Sequence, residues 1–450
     1  MQRPVSAFTI DLYELTMAAA YWTRKIHASA SFELFVRRLP ANRNFLIAAG
    51  LERALAYLEN FHFAPEEVDF LRAHPVFHNI DKGFFDYLGN LRFSGEAWAM
   101  EEGTPFFPDE PILRITAPVI EAQLFETALL SILGFETAIA SKAARVVHAA
   151  QGRPVAEFGS RHAHGPDAAL YAARAAYLAG CTSTSNVEAG QLFSIPISGT
   201  MAHSFVMAYH DEVQSFTDFV GIFGNQTTLL LDTYDTMRAL DGMIGAKLHP
   251  RAVRLDSGDR LALSKQVRTR LDEAGLEDVK IAVTGDLNEW KIEELLRQGA
   301  PIDAFGVGTE MATSKDDPVV SCVYKLVRIE AGAKPYYRAK LSAEKQTYPS
   351  CKQVFRFYGE DGLLDHDVLT ASGEQMPGGE PLLKKVMVDG RRTSSKVLPL
   401  QDLRDYCSAQ RRKLPERLLD LHQEQKYRVD VSSRLIDMLE ELREAQGVEL

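Results

Sequence analysis

Between residues 118 and 134 the apolar positions Leu124, Phe125, Ala128, Leu129, Ile132 and Leu133 recur at three- and four-residue intervals. That period lines one face of an α-helix, with Pro118 near its first turn and Gly134 at its predicted end. From about residue 150 to 325 the pattern changes. Short apolar runs at 155–158, 182–185, 228–231, 252–255, 279–283 and 302–305 each lead into a polar, glycine-rich loop. Helical stretches separate many of them, among them 166–180 and 288–298. Repeated strand, loop and helix predicts parallel strands joined by crossovers. An open doubly wound sheet satisfies the pattern, but this many units fits a barrel better. In such folds the loops at the carboxyl ends of the strands share one face, where active sites collect.

The flanks read differently. The first hundred or so residues mix strand-like runs (30–36, 95–100) with a helical segment at 51–61, and a proline-rich stretch at 103–118 marks a boundary or crossover. Beyond residue 330 the periodicity weakens into short strands among turns, and 431–445 predicts an amphipathic helix. The patterning therefore divides the chain into 1–117, 118–330 and 331–450.

A chain of 450 residues exceeds one ordinary domain. Its formal net charge of -11 argues against a nucleic-acid partner, since phosphate backbones demand a basic face. Local basic pockets for a small anion stay compatible with it. Cys181, Cys322, Cys351 and Cys407 form no Cys-x-x-Cys pair, which disfavours zinc or dithiol chemistry and suits a reducing compartment. Residues 1–17 include Asp11 and Glu14 and do not read as a secretory leader. No stretch approaches the roughly 20 apolar residues of a membrane span. The expectation is a cytoplasmic protein with no membrane partner.

The loops that follow the strands carry the chemistry. Gly306-Val307-Gly308-Thr309 can present backbone N–H groups to a phosphate, although two such glycines also make an ordinary tight turn. Gly285-Asp286 would add a second rim. Asp256, in Arg254-Leu255-Asp256-Ser257-Gly258-Asp259, suits ribose hydroxyls or a pyrophosphate-borne Mg²⁺, or else an Asx turn capping the next helix. Arg254 lies in an otherwise apolar strand and needs a partner or ligand. Phe158 and Arg161 suit a flat aromatic carboxylate, or a core ring beside a surface charge. His203, in a small-residue loop, is structural, a base or a phosphoryl acceptor. His162 and His164 lack the further ligands of a metal site, so no protein metal centre is expected. The chain lacks a P-loop, an early dinucleotide-binding glycine motif and a Gly-x-Ser-x-Gly elbow.

Read together, Asp11-Leu12-Tyr13-Glu14-Leu15-Thr16-Met17, Glu157-Phe158-Gly159-Ser160-Arg161, Gly199-Thr200-Met201-Ala202-His203-Ser204, Val253-Arg254-Leu255-Asp256-Ser257-Gly258-Asp259, Phe305-Gly306-Val307-Gly308-Thr309, Val323-Tyr324-Lys325-Leu326 and Lys340-Leu341-Ser342 resemble the nicotinate phosphoribosyltransferase family. The match runs in order over roughly residues 8–360. The resemblance implies an irregular α/β barrel catalytic domain at 118–330, an α+β N-terminal domain at 1–117, and a C-terminal segment, 331–450, partly packing back on the N-terminal domain. It implies a homodimer that moves ribose 5-phosphate from phosphoribosyl pyrophosphate to nicotinate, releasing pyrophosphate, in NAD salvage. By the same resemblance Phe158 and a partner-contributed Tyr13 sandwich the pyridine ring and Arg161 faces its carboxylate. Arg254 and Asp256 engage the donor, while Gly285, Gly308 and Thr309, in the loop that Gly306 opens, cradle its 5-phosphate. ATP hydrolysis is coupled through a transient phosphohistidine at His203, with Mg²⁺ accompanying ATP and pyrophosphate.

Two positions depart from the family pattern: His162 follows Arg161 where a second arginine is usual, and Pro349-Ser350-Cys351-Lys352 replaces a Pro-Gly. Amide-using relatives, the nicotinamide phosphoribosyltransferases, place an Asp near Ser185-Asn186. Neutral residues there favour the acid, which an Asp would repel. Quinolinate phosphoribosyltransferase fits less well, since a dicarboxylate wants more basic residues. Retention of Tyr13, Arg161, His203, Arg254 and Asp256 together argues against an inactive regulatory paralogue.

Overall fold

The computed structural model describes residues 4–332, 335–342, 345–394 and 397–447. Residues 1–3, at the start of the stretch read for a leader, lie outside the described residues, as do 333–334, 343–344, 395–396 and 448–450 within the segment 331–450. The chain forms two compact units, residues 139–318 and residues 1–138 with 319–450.

Residues 139–318 contain six short parallel strands: β1 Val155–Glu157, β2 Ser183–Thr184, β3 Thr228–Leu230, β4 Ala252–Leu255, β5 Lys280–Val283 and β6 Ala304–Val307. They line up in the order β2-β1-β6-β5-β4-β3. The first strand neighbours the last, and each step to an adjacent strand runs in the same direction along the sheet. With right-handed crossovers this puts the intervening helices on one face, as in a barrel, instead of on both faces, as in a doubly wound sheet. The expected barrel is realised only as an open, curled sheet, because β2 and β3 do not pair. The connection between them holds three helices, Val187–Phe193, His203–Met207 and Glu212–Phe223, in place of one crossover. Thr184 in β2 pairs instead with the stretch at 196–198, its N–H reaching the Pro196 carbonyl at 3.0 Å and its carbonyl the Ser198 N–H at 2.9 Å.

The concave face is lined by small side chains, including Ala156, Ala282, Ala304 and Gly306, which leave a cavity of about 640 Å³. Helices such as Pro166–Leu178 cover the opposite face, with Leu170, Tyr171, Ala172, Ala173, Ala175 and Ala176 fully buried.

The predicted helix at 118–134 comes in two pieces. A short helix, Val119–Gln123, is followed by Glu126–Ala149, which runs well past Gly134. Gly134 does not stop it, because the apolar pattern continues through Ala138, Ile139, Ala140, Ala143, Ala144 and Val146, all buried. The division between the compact units falls within this helix.

In the other unit a seven-stranded sheet runs Pro335–Tyr337, Cys322–Glu330, Ser29–Val36, Pro111–Pro118, Glu96–Ala99, Lys384–Val388 and Arg391–Arg392, with every pairing antiparallel. Ser29–Val36 is buried on both faces after its first residue, with the polar Ser31 and Glu33 enclosed among its apolar side chains. A four-stranded sheet pairs Lys352–Tyr358 with Leu364–Ala371 at its centre. There the fully buried Arg356 and Asp367 form a bidentate pair, Nη2 to Oδ2 2.6 Å and Nε to Oδ1 3.0 Å. The tail helix, Ser433–Gln446, is capped by Ser432 and buries Leu435 and Leu439, in line with the amphipathic period. Among the described residues no helix is long and apolar enough to cross a membrane.

Candidate functional site

Because the six strands are parallel, their carboxyl ends share one edge of the sheet, and the loops leaving that edge hold nearly all the residues singled out above. At the end of β1 the chain must turn sharply. Glu157, almost fully buried, organises that turn. One carboxylate oxygen accepts the Gly159 N–H and the other accepts the Thr184 hydroxyl at 2.6 Å, tying β1 to β2. Burial raises its pKa against the pull of those two donors. Phe158 is held by its N–H to the Val307 carbonyl at 2.8 Å, and its ring lies over Gly306. A Cβ at Gly306 would come within 2.7 Å of the ring and 2.6 Å of the Thr284 methyl, so this glycine makes room for the aromatic.

Arg161 and His162 follow in a short 3₁₀ turn, both exposed. The His162 Nδ1 meets the Thr309 hydroxyl, which joins this turn to the Gly308-Thr309 step that leaves β6. The amide of Asn186 donates to the Ser160 hydroxyl at 3.1 Å while its oxygen caps the Val187–Phe193 helix. The β2 loop thus presents neutral groups to the Phe158 turn through Asn186.

A second cluster forms around β4. Arg254 extends its guanidinium to four partners: Thr284 Oγ1 at 2.8 Å, Thr200 Oγ1 at 2.9 Å, the Met201 carbonyl at 3.4 Å and Asp256 Oδ1 at 2.6 Å. The Thr284 hydroxyl also reaches Asp256 Oδ1. Partial burial opposes ionisation of Asp256, but the Thr284 hydroxyl and the Arg254 charge outweigh it and hold the carboxyl below its ordinary range. His203 opens the His203–Met207 helix, with Nδ1 3.1 Å from the Thr233 hydroxyl and Nε2 3.9 Å from Asp256 Oδ2. Its side chain is 41% exposed, which leaves it accessible to a ligand.

Several organisers carried no distinctive sequence signal. Asp232 accepts the Asp256 N–H at 3.1 Å and the Ser257 hydroxyl, while its other oxygen is buried without a partner. Arg260 donates to the carbonyls of Thr284, Asp256 and Gly285 at 2.9, 2.9 and 2.6 Å, lacing the β4 and β5 loops together. Gly285 sits at φ +82°, where a Cβ would lie 2.0 Å from the Asp256 carbonyl. Only glycine fits that approach.

The structure therefore brings Phe158, Gly306, Arg254 and Thr284 onto the wall of one cavity of about 640 Å³, with His203 and Asp256 linked to it through Arg254 and its neighbours. Arg161, Gly308 and Thr309 stand at its Phe158 side, within the same loops. Tyr13 belongs to the other compact unit, nearly half exposed on the Leu12–Thr23 helix, where burial and the nearby Glu126 raise its hydroxyl pKa. An aromatic face, a guanidinium–carboxylate pair, hydroxyls and two glycine loops can hold a flat ring beside a phosphorylated sugar. Among the described residues no group of His, Cys, Asp and Glu has the form of a metal cage.

Comparison with known proteins covers almost the whole chain. Family profiles described as the nicotinate phosphoribosyltransferase (NAPRTase) N-terminal domain, the NAPRTase family and the NAPRTase C-terminal domain match residues 8–134, 154–354 and 378–439. Nicotinate phosphoribosyltransferase pncB2 of Mycobacterium tuberculosis is 44% identical over 456 residues, spanning 100% of this chain and 96% of that protein. Nicotinate phosphoribosyltransferase of Bacillus subtilis is 44% identical over 362 residues, 78% of this chain and 73% of that protein. The crystal structure of human nicotinic acid phosphoribosyltransferase superposes with a TM-score of 0.85 at 28% identity, covering 96% of this chain and 99% of that one.

Proposed function

The chain belongs to the nicotinate phosphoribosyltransferase family, and we propose that it joins nicotinate to the ribose 5-phosphate of phosphoribosyl pyrophosphate, forming nicotinate mononucleotide and pyrophosphate in NAD biosynthesis. The observation that carries this reading is the shared cavity, whose wall holds the Phe158 ring and the Arg254–Thr284 pair that grips Asp256.

The pyridine nitrogen is itself the nucleophile. It attacks the anomeric carbon, forming the C–N bond as the bond to pyrophosphate breaks, so no general base is needed. Positive charge develops on the sugar, and Asp256, held ionised, is suited to stabilise it. Arg254 balances the donor's negative charge. Phe158 offers a stacking face to the ring, with Tyr13 of the partner subunit closing the other side in a homodimer, and Arg161 pairs with the carboxylate. Gly285, Gly306, Gly308 and Thr309 receive the 5-phosphate. The buried, unpartnered oxygen of Asp232, close to Asp256, fits a cation accompanying pyrophosphate, so these two carboxylates would hold Mg²⁺. Bound there, Mg²⁺ would neutralise charge on the leaving group.

Exposure of His203 beside Asp256 supports ATP coupling: its imidazole accepts the terminal phosphoryl group as ADP leaves, and water later releases phosphate. Nicotinate is favoured over nicotinamide because Ser185 and Asn186 carry no charge and Asn186 is spent on Ser160 and a helix cap. Four free cysteines and phosphorylated substrates suit the cytoplasm. The deciding assay is mononucleotide formation from nicotinate or nicotinamide, with and without ATP. Preference for nicotinate with ATP stimulation is expected, and preference for the amide would overturn the acceptor assignment.

A further inference from the structure

Behind the two glycine loops lies a buried charge cluster that the reaction does not use directly. Lys142, on the Glu126–Ala149 helix, has no exposed side-chain surface. Its Nζ lies 2.6 Å from Glu289, 2.9 Å from Asp316 and 3.9 Å from Glu310. One turn further on, Arg145 places Nε 3.0 Å from the other Glu289 oxygen. The Trp290 ring covers the Lys142 ammonium at 4.8 Å.

The origin of these carboxylates gives the cluster its meaning. Glu289 opens the Glu289–Arg297 helix, across a short turn from Gly285. Glu310 lies in the Thr309–Ala312 helix, directly after the Gly308-Thr309 step, and Asp316 follows it. One buried ammonium therefore holds the segments that carry both glycine loops. We propose that Lys142 is a positioning residue for the donor's 5-phosphate, setting the spacing between the Gly285 and Gly308 loops from beneath. This rests on reading those loops as the phosphate's seat.

Burying a lysine among carboxylates is a poor way to gain stability, since well-packed apolar residues often do as well or better. What the arrangement provides is geometry: one Nζ stays within ion-pair reach of carboxylates from both segments only when the two loops stand at a single spacing. Phosphate recognition by backbone N–H groups depends on that spacing, and a displacement of about 1 Å can cost on the order of a hundredfold in turnover.

The test uses the full chain, with calorimetric titration of phosphoribosyl pyrophosphate and steady-state kinetics on Lys142→Met and Lys142→Arg. Lys142→Met is expected to raise the donor's Kd and KM by about tenfold or more while the KM for nicotinate moves by less than about twofold, and Lys142→Arg to recover part of the loss. A folded Lys142→Met variant with lowered Tm but native donor affinity would overturn the proposal and leave the cluster merely structural. If Lys142→Met does not fold, Glu310→Gln, at the less buried rim of the cluster, carries the same readout: weakened donor binding supports the proposal and native donor binding overturns it. Native protein that fails to bind the donor would defeat the functional reading and this inference with it. Native binding alongside equal binding by Lys142→Met would defeat this inference alone.

Discussion

Phe158 sits where a ring is permitted only because position 306 is glycine, and the contact is close enough that either residue constrains the other. Phe158→Ala should raise the KM for nicotinate by about tenfold, or ~1.4 kcal/mol of lost stacking and burial, with little change for the donor. Steady-state kinetics with each substrate varied in turn checks this, and an unchanged nicotinate KM would place the pyridine elsewhere. His203→Ala should abolish stimulation by ATP while leaving a weaker ATP-independent transfer. Retained ATP coupling in that variant would remove the phosphohistidine assignment. Arg254 was conspicuous in the sequence as a charge within an apolar strand, and its need for partners was legible. The identity of those partners was not. Thr200 and Thr284 come from loops far apart in the chain, and a threonine in a polar loop looks like any other until the fold brings it to a guanidinium.

Elements were legible wherever the period was clear and local. Five strands of the parallel sheet fall within the apolar runs that announce them, the sixth, Ala304–Val307, extends two residues past its predicted run into the stretch read as loop, and the tail helix falls close to its predicted span. The end of the Glu126–Ala149 helix was not legible from Gly134, because a glycine cost of about 1 kcal/mol is small against a long buried face. Nor could the opening between β2 and β3 be read, since pairing depends on contacts distant in sequence. Glu157 shows what such pairing requires. It is a single buried carboxylate at the end of a strand, serving a loop N–H and a hydroxyl of the neighbouring strand. Glu157→Ala leaves both donors without a partner and should cost about 2–4 kcal/mol, measured by urea unfolding, with loss of nicotinate binding. A cost under about 0.5 kcal/mol would mean that water replaces the carboxylate and that the staple is dispensable.

At the scale of the whole molecule the unit built from residues 1–138 and 319–450 is assembled from both ends of the chain, and it holds carboxyls whose protonation folding alters. Strand Cys322–Glu330 lies beside Ser29–Val36, so the sheet needs segments separated by the entire other unit. Long-range antiparallel pairing of this kind leaves no local signature in the sequence. In this unit Glu14 has no exposed surface, and burial pushes its carboxyl up to about 7 despite donation from the Thr127 hydroxyl and N–H. Glu110 is raised as well, chiefly by burial and then by the Asp367 charge. A folded state with raised carboxyl pKa binds protons that the unfolded chain has released, so stability falls as pH rises through that window. For Glu14 the contribution is complete below the ordinary value of 4.5 and is lost as pH climbs through about 7. Asp256, held low in the other unit, acts in the opposite direction, and its contribution is lost only in acid. Glu14→Gln mimics the protonated carboxyl and keeps an acceptor for Thr127, so it should flatten the decline in stability between pH 5 and 7.5 and raise stability relative to the native protein at the upper end. Thermal unfolding at half-unit pH intervals measures both slopes. A variant that tracks the native slope throughout would show that Glu14 is already ionised in the folded protein, with its charge carried by Thr127 and the helix start beside it.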